Sequence, residues 1–358
     1  MKRLIVGVVM TMTAMGAERT VYVGTYTREG KSKGIERLRF DDQTGALRND
    51  ALAVEAENPS FIAVHPTKPF LYSVNVNTAA TQEGHLSAFA IAADGQLKLL
   101  NTVASKGVNP AYVQIDRTGH WVATVNFTSG SCATYRIEAD GRLSEAVDSR
   151  QHAGHGAHEK RQAGPHAHSA YFSADNKVLY VSDLGLDEVK RYGFDAKTGH
   201  LSDGQSLKAV TGGGPRHLAF GPKDRVYVLN EIASSVSVFD GDKLVETVSA
   251  LPPGFAGNSS TAEVILHPNG KFLYASNRGA DTIAVFSVGK TLKQIAQTPA
   301  GGKVPRGFVL SPDGKFMLVA AQNSDVVNVF RVDPSTGLLT ATGSPVSVGS
   351  PVCLRFAR

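Results

Sequence analysis

One short pattern recurs along almost the whole chain, and this repeat restricts the possible folds more than any other feature. Each copy has a small or turn-forming start, a six-residue apolar strand, a turn with Pro, Asp or Gly, and a second apolar strand. Complete copies start at these residues: Pro59, Pro110, Ala167, Pro215, Thr261 and Pro305. A spacing of 44 to 57 residues is the length of a propeller blade of four short strands.

A seventh copy is divided between the two ends of the chain. Residues 351–356 supply only a first strand, and residues 21–24 supply only a second strand. Pairing these segments in one sheet would close the ring and remove its exposed edges. The sequence therefore predicts an all-β fold, a seven-bladed β-propeller whose last blade is closed by the N- and C-terminal strands. We expect it to form one domain over residues 18–358.

The N-terminal segment, residues 1–17, has the composition of a secretory signal peptide. Lys2 and Arg3 precede a largely apolar run from Leu4 to Met15, and small residues follow. The run is shorter than the roughly 20 residues of a membrane-spanning helix. We expect an exported protein, periplasmic or secreted, or a cytoplasmic one if this segment is not a signal.

Charge and cysteine content narrow the classes of partner. Without residues 1–17 the chain has 35 basic and 32 acidic residues and no basic cluster, which argues against a nucleic-acid partner. Cys132 and Cys353 lie in strand-like segments without a pairing signature, so we expect two buried free thiols. We predict a monomer that binds a small molecule, with neither a nucleic acid nor a membrane as partner.

Two sets of equivalent positions should face the same mouth of the central channel. In an antiparallel pair, the start of the first strand lies beside the end of the second. One residue into the first strand, the seven copies have Ser60, Ala111, His168, Arg216, Ala262, Arg306 and Val352. Just beyond the second strand they have Val76, Phe127, Leu184, Glu231, Arg278, Asn323 and Thr25.

The charged exceptions in these two columns fall in four consecutive copies. They are His168, Arg216, Glu231, Arg278 and Arg306. A charge in a constricted, partly dry position costs free energy unless it is paired or used. The cluster indicates a functional site on one side of the channel mouth, with a structural ring of salt bridges between blades as the alternative.

Five of the eleven histidines lie close together in the sequence, at His152, His155, His158, His166 and His168. Their spacing fits neither a zinc-protease helix nor a Cys/His finger. We therefore predict no metal site, and nothing in the sequence indicates a cofactor.

Short motifs are spread over the chain beyond residue 17. They are VGTYT (23–27), RQAGPHAHS (161–169), GPRH (214–217), NE (230–231), TAE (261–263), SNRG (276–279) and PVC (351–353). Together they resemble those of the seven-bladed propeller lactonases, the group of bacterial 6-phosphogluconolactonases and fungal carboxymuconate cycloisomerases. The loop 152–160 departs from the family pattern, which leaves the choice of substrate open.

The resemblance implies roles for individual residues. Catalytic or anion-binding roles fall on His168, Arg216, Glu231 and Arg278, the same residues that the two columns single out. Substrate-binding roles fall on His166, His217, Glu263 and Arg306.

These residues suit the hydrolysis of a sugar lactone by attack of water on its carbonyl carbon. Glu231 or His168 would be the general base, and Arg216 would stabilise the oxyanion. Arg278, with Arg306, would bind a phosphate or carboxylate of the substrate. Export favours an unphosphorylated aldonolactone or another acidic lactone over the phosphorylated one. A lactone-forming cycloisomerase and a non-catalytic ligand-binding propeller are the alternatives.

Overall fold

Runs of β-branched and aromatic residues, separated by turns rich in Gly, Asp and Thr, form the strands of each repeat. The computed structural model describes residues 18–77 and 82–357, so the predicted signal peptide lies outside the described residues. Within those ranges the chain forms 29 strands and two 3₁₀ turns, Pro222–Asp224 and Gln322–Ser324.

The strands build seven antiparallel sheets, which we call blades 1 to 7. Blade 1 contains β1 (Glu18–Thr25), β2 (Gly34–Asp41), β3 (Leu47–Glu55) and β29 (Pro351–Phe356). Blade 2 contains β4 (Phe61–Val64), β5 (Phe70–Asn75), β6 (Glu83–Ile91) and β7 (Leu97–Val108). Blade 3 contains β8 (Pro110–Ile115), β9 (Trp121–Asn126), β10 (Ser131–Ile137) and β11 (Leu143–Gln151).

The remaining blades follow in chain order. Blade 4 contains β12 (Ala167–Phe172), β13 (Val178–Asp183), β14 (Glu188–Phe194), β15 (Leu201–Asp203) and β16 (Leu207–Lys208). Blade 5 contains β17 (Pro215–Phe220), β18 (Arg225–Asn230), β19 (Ser235–Asp240) and β20 (Lys243–Ser249). Blade 6 contains β21 (Ser260–Leu266), β22 (Phe272–Arg278), β23 (Thr282–Val288) and β24 (Leu292–Pro299). Blade 7 contains β25 (Pro305–Leu310), β26 (Phe316–Ala321), β27 (Val326–Val332) and β28 (Leu339–Ser347).

Blade 1 joins the two ends of the chain. Strand β29 pairs with β1, with Val21 opposite Phe356 and Val23 opposite Leu354. The predicted seven-bladed fold and its closure by the terminal strands are confirmed. Strand β29 thereby completes a four-stranded sheet whose other three strands come from the N-terminal part of the chain.

Hydrogen bonds from buried tyrosine hydroxyls link neighbouring blades. The hydroxyl of Tyr22 in blade 1 donates to the carbonyl oxygen of Gly95 in a turn of blade 2, at 2.9 Å. Tyr72 in blade 2 makes the same bond to Gly141 in blade 3, also at 2.9 Å. Both glycines have positive φ, which the turns require. These bonds hold blade 1 to blade 2 and blade 2 to blade 3.

Candidate active site

The three basic residues of the first column lie at β-bulges. In β17 the strand ladder passes from Pro215 to His217 and skips Arg216. In β12 and β25 the skipped residues are His168 and Arg306. A bulged residue is left out of the ladder and its side chain is redirected. These bulges direct the three side chains toward the channel. In a regular strand, successive side chains would instead point to alternate faces of the sheet.

The second column is fixed by a repeated backbone hydrogen bond. The N–H of Glu231 donates to the carbonyl oxygen of Gly214 at 2.7 Å. The N–H of Phe127 makes the equivalent bond to Asn109 at 2.8 Å. Arg278 is the last residue of β22. The residue after the second strand is thereby held beside the start of the first strand.

These positions surround a cavity of about 250 Å³ at the channel mouth. Its lining is strongly charged, with four arginines and one carboxylate. The lining residues are Tyr26, Ser60, Phe61, Asn109, Pro110, Ala111, Phe127, Arg161, His168, Arg216, His217, Glu231, Arg278, Arg306 and Val352. The excess of positive charge favours an anionic ligand, or a transition state in which negative charge develops.

Glu231 is surrounded by three guanidinium groups. Nη2 of Arg161 donates to Oε1 at 2.5 Å, and Nε of Arg216 and Nη2 of Arg278 each lie 2.9 Å from Oε2. Burial by itself raises the pKa of the Glu231 carboxyl. The three positive groups outweigh burial and lower this pKa from 4.5 to about 2. Glu231 is therefore ionised and acts as an anchor for the arginines.

Arg216 is held on several sides. Besides Glu231, its guanidinium contacts the carbonyl oxygen of Ala262 and lies 3.3 Å from Nε2 of His217, measured from Nη1. Burial, followed by the charge of Arg278, lowers the pKa of Arg216 to about 9, which leaves it protonated at neutral pH. A charged donor fixed in this way is suited to stabilising an oxyanion.

A buried pair behind Arg216 sets its orientation. Nδ1 of His217 lies 2.6 Å from Oε1 of Glu263. Burial lowers the pKa of His217 to about 4. Burial by itself raises the pKa of the Glu263 carboxyl, but its contact with His217 and the positive charges of Arg355 and Arg216 lower it below 4.5. The histidine is therefore neutral, donates from Nδ1 to the carboxylate, and presents the lone pair of Nε2 to Arg216.

His168 is the neutral base of the cavity. Burial, and next the positive charge of Arg216, lower its pKa well below 6.5. Its side chain lies among aromatic rings, with centroids 5.5 Å from Phe127 and 5.3 Å from His217. At neutral pH the imidazole can therefore accept a proton.

Aromatic rings close the cavity on the side away from the mouth. The rings of Phe61 and Tyr112 have centroids 4.1 Å apart, and Tyr112 lies 5.2 Å from the His217 ring. Phe61 and His217 line this cavity, whereas Tyr112 lines two others beyond it. The rings therefore form a floor between this cavity and the two others.

The structure brings six of the eight predicted site residues to the cavity wall: His168, Arg216, His217, Glu231, Arg278 and Arg306. It does not place His166 or Glu263 there. The His166 ring stacks on Phe127 with centroids 4.7 Å apart. Glu263 lies behind His217 and lines a cavity on the far side of the floor. Their direct contact with substrate is not favoured by this geometry.

Sequence reasoning missed Arg161 and Tyr26 as site residues, because neither lies in the two columns. Arg161 reaches Glu231 from the loop before β12. The neighbouring Gln162 anchors this loop, since its Nε2 donates to Leu184 at 2.8 Å and to Asp187 at 2.6 Å. The motif RQ (161–162) was the available signal.

The clustered histidines have separate roles. Nδ1 of His152 lies 2.6 Å from Oδ2 of the buried Asp183, whereas His166 stacks on Phe127. Within residues 18–77 and 82–357, no group of three or more His, Cys, Asp or Glu is placed to hold a metal ion. In the same ranges no helix has the length and hydropathy needed to cross a membrane. Cys132 and Cys353 are free and buried.

Comparison with known proteins gives a consistent result. The family profile described as lactonase, 7-bladed β-propeller, matches residues 20–356. A 6-phosphogluconolactonase of Bacillus subtilis is 34% identical over 346 residues, covering 94% of this chain and 97% of that protein. One of Formosa agariphila is 32% identical over 302 residues, covering 80% and 85%. The solved structure of a periplasmic gluconolactonase of Pseudomonas aeruginosa has a TM-score of 0.89 at 31% identity, covering 96% of this chain and 99% of that one.

Proposed function

The chain belongs to the seven-bladed β-propeller lactonase family, and we propose on that basis that it is a carboxylic ester hydrolase that opens a sugar lactone in the cavity at the channel mouth. One observation of the site carries the proposal. A buried neutral imidazole, His168, shares a small cavity with four arginines. Lactone hydrolysis needs this combination of a proton acceptor and fixed positive charge.

His168 is the general base. It accepts a proton from a water molecule as the water oxygen attacks the lactone carbonyl carbon. Glu231 is the weaker candidate, since three guanidinium groups hold both of its carboxylate oxygens. By contrast, Nδ1 of His168 has no hydrogen-bond partner among the described residues.

Arg216 stabilises the oxyanion that forms on the carbonyl oxygen. Its Nε faces Glu231 and its Nη1 faces Ala262 and His217, so the guanidinium is oriented before the substrate binds. A donor that needs no rearrangement during the reaction gives the largest stabilisation.

Arg278 and Arg306 bind the polar or acidic substituents of the substrate. Both line the cavity, and Arg278 is held through its contact with Glu231. Glu231 is thus a positioning residue that keeps three cavity arginines, Arg161, Arg216 and Arg278, at fixed places. Bidentate binding by arginine suits a carboxylate or a phosphate.

We further propose that the protein is exported and acts on an unphosphorylated aldonolactone. Residues 1–17 have signal-peptide composition, and the similar Pseudomonas aeruginosa gluconolactonase is periplasmic. Cell fractionation with N-terminal sequencing of the recovered protein tests this. A mature chain that begins near Glu18 outside the cytoplasm supports export, and an intact Met1 in the cytoplasm refutes it.

The two alternatives from the sequence are less favoured. The named relatives above are lactone hydrolases, which does not favour a cycloisomerase. A non-catalytic anion-binding propeller has no need of the buried neutral imidazole of His168 in its cavity. No observation on the site favours either alternative over hydrolysis.

The decisive assay is the rate of ring opening of glucono-1,5-lactone and its 6-phosphate, with the spontaneous rate subtracted. Wild type should accelerate at least one of them, and Arg216→Ala should lower kcat/KM at least about 100-fold. Arg142→Ala is the matched control, since Arg142 is exposed and pairs only with the exposed Asp140 on the surface.

Each outcome has a defined meaning. A preference for the unphosphorylated lactone supports the proposed substrate, and a preference for the phosphate overturns that part alone. No acceleration of either lactone or of related acidic lactones refutes hydrolysis and leaves a ligand-binding propeller.

A further inference from the structure

Lactone hydrolysis requires two proton transfers, and His168 accounts for only the first. When the tetrahedral intermediate breaks down, the ring oxygen leaves carbon C1 as an alkoxide. An alkoxide is a strong base, and its departure is accelerated by a proton donor placed beside it. The following inference rests on the proposed function and concerns the identity of this donor.

Tyr26 borders the cavity directly after β1. Its N–H donates to the carbonyl oxygen of Ser350 at 3.1 Å, which fixes the backbone at the closure of blade 1. Nη2 of Arg306 donates to the phenolic oxygen at 3.1 Å. A guanidinium can only donate, so this bond leaves the phenolic proton free for another acceptor, and Tyr26 is one of the residues that line the cavity.

Positive groups surround the phenol from three elements. The guanidinium of Arg306 in β25 lies 5.4 Å from the ring centroid, and that of Arg28, in the loop after β1, lies 4.3 Å from it. Arg216 in β17 acts from farther away, and the Ser60 side chain hydrogen-bonds to the phenol. Burial raises the pKa of Tyr26, but these groups outweigh it and lower the pKa below 10.

Tyr26 and His168 face each other across the ring. Tyr26 follows a strand of blade 1, and His168 belongs to blade 4. In a ring of seven, two blades separate them on one side and three on the other. A lactone held between them can exchange protons with both walls at once, with attack on one side and departure on the other.

Tyr26 also has access to a second space. Tyr26, Arg306 and Asn109 line both the site cavity and an adjoining cavity of about 440 Å³. A water molecule in the adjoining cavity can return a proton to the phenolate after each turnover. Tyr26 is therefore placed to donate a proton to the site cavity and to regain one from water in the adjoining cavity.

We propose that Tyr26 is the general acid that protonates the leaving ring oxygen. His168 takes one proton from the attacking water while the new C1–O bond forms. The bond from C1 to the ring oxygen then breaks, and the electron pair on that oxygen takes the phenolic proton. Arg306 and Arg28 stabilise the phenolate, which regains a proton from water as His168 releases one. The net reaction is lactone plus water to hydroxy acid.

The test compares two leaving groups. The substrates are glucono-1,5-lactone and its 5-thio analogue, in which sulfur replaces the ring oxygen. A thiolate leaves without assistance, because thiols are far stronger acids than alcohols. Tyr26→Phe should lower kcat for the lactone about 100-fold, and the fall for the thiolactone should be at least about tenfold smaller. Equal losses on both substrates overturn the proposal.

Tyr22→Phe is the matched control. Tyr22 lies in β1, the strand that Tyr26 directly follows, is fully buried, and bonds to Gly95, which does not line the cavity. The Tyr22→Phe variant also loses a hydroxyl, and its kcat should equal that of wild type. If Tyr22→Phe shows the same loss as Tyr26→Phe, the effect comes from the strand and the proposal falls.

A second readout applies if the thiolactone is not turned over or if Tyr26→Phe misfolds. Incorporating 3-fluorotyrosine at position 26 keeps the hydroxyl but makes the phenol more acidic. The alkaline limb of the kcat/KM profile, where the acid loses its proton, should move to lower pH. An unmoved limb overturns the proposal. Inactivity of wild type on every lactone instead refutes the proposed function, so the two failures are distinguishable.

Discussion

Replacing Glu231 with glutamine removes the one negative charge that Arg161, Arg216 and Arg278 share. The side chain keeps its size, so the change is mainly electrostatic. Three guanidinium groups then remain close together without a counter-charge. We expect Glu231→Gln to lose stability and activity together.

The size of the stability loss follows from the pKa of Glu231. Folding lowers this pKa from 4.5 to about 2. Since a tenfold change in an equilibrium constant is about 1.4 kcal/mol, the ionised carboxylate stabilises the fold by about 3 kcal/mol. Glu231 is only 7% exposed, so solvent screening is small. With an unfolding entropy of about 0.7 kcal/mol/K for a chain of this length, Tm should fall by about 4 °C.

The pH dependence has a defined sign. Because the pKa of Glu231 is lower in the folded state, its contribution is complete above pH 4.5 and is lost as pH falls toward about 2. Thermal unfolding of wild type and Glu231→Gln should therefore differ at pH 7 and converge in acid. Glu55→Gln, at an exposed position, should match wild type throughout.

The activity of Glu231→Gln should fall because Arg216 is no longer held in position by a carboxylate. Without its anchor the guanidinium loses its fixed orientation, and kcat/KM should fall about 100-fold. A Tm at pH 7 within about 1 °C of wild type would refute the electrostatic reasoning. So would a Tm difference that does not narrow in acid.

Three further results are expected. The kcat/KM of wild type should stay constant as pH falls from 7 past 6.5, because the pKa of the base His168 lies well below 6.5; an acidic limb centred near 6.5 would exclude His168 as this base. Glu263→Gln should lower kcat about tenfold with little change in KM, because the histidine that orients Arg216 loses its carboxylate partner; a change confined to KM would indicate substrate contact instead. Cys132 and Cys353 should not react with Ellman's reagent until the protein unfolds, because both are buried and burial raises their thiol pKa values; rapid labelling of the folded protein would contradict this.

The ring and its charged columns could be predicted because both depend on a repeated local pattern. The spacing of the copies gave the number of blades, and antiparallel pairing placed Arg216 and Glu231 at one rim. What the pattern did not reveal is the bulge at each skipped residue. Strand alternation alone would send His168 and Arg306 to the wrong side of the ladder.

The remaining site residues depend on tertiary contacts that sequence spacing does not encode. Arg161 is placed by the hydrogen bonds of Gln162 to another turn. Glu263 was expected to bind substrate, but the shift in the β21 ladder between Thr261 and Val264 spans two residues, and Glu263 lies behind His217. The motif RQ (161–162) therefore supplies both a cavity residue, Arg161, and the residue that anchors its loop, Gln162.

The pairing of β29 with β1 also determines when the site can form. These strands lie at opposite ends of the chain, so their pairing has the greatest sequence separation of any strand pair within residues 18–77 and 82–357 and carries the largest loop-closure entropy. Tyr26 bonds across this junction to Ser350 and contacts Arg306 in the last complete blade. A nascent chain therefore lacks the assembled cavity until its final strand has been synthesised and docked. Recovery of activity during refolding would report directly on ring closure.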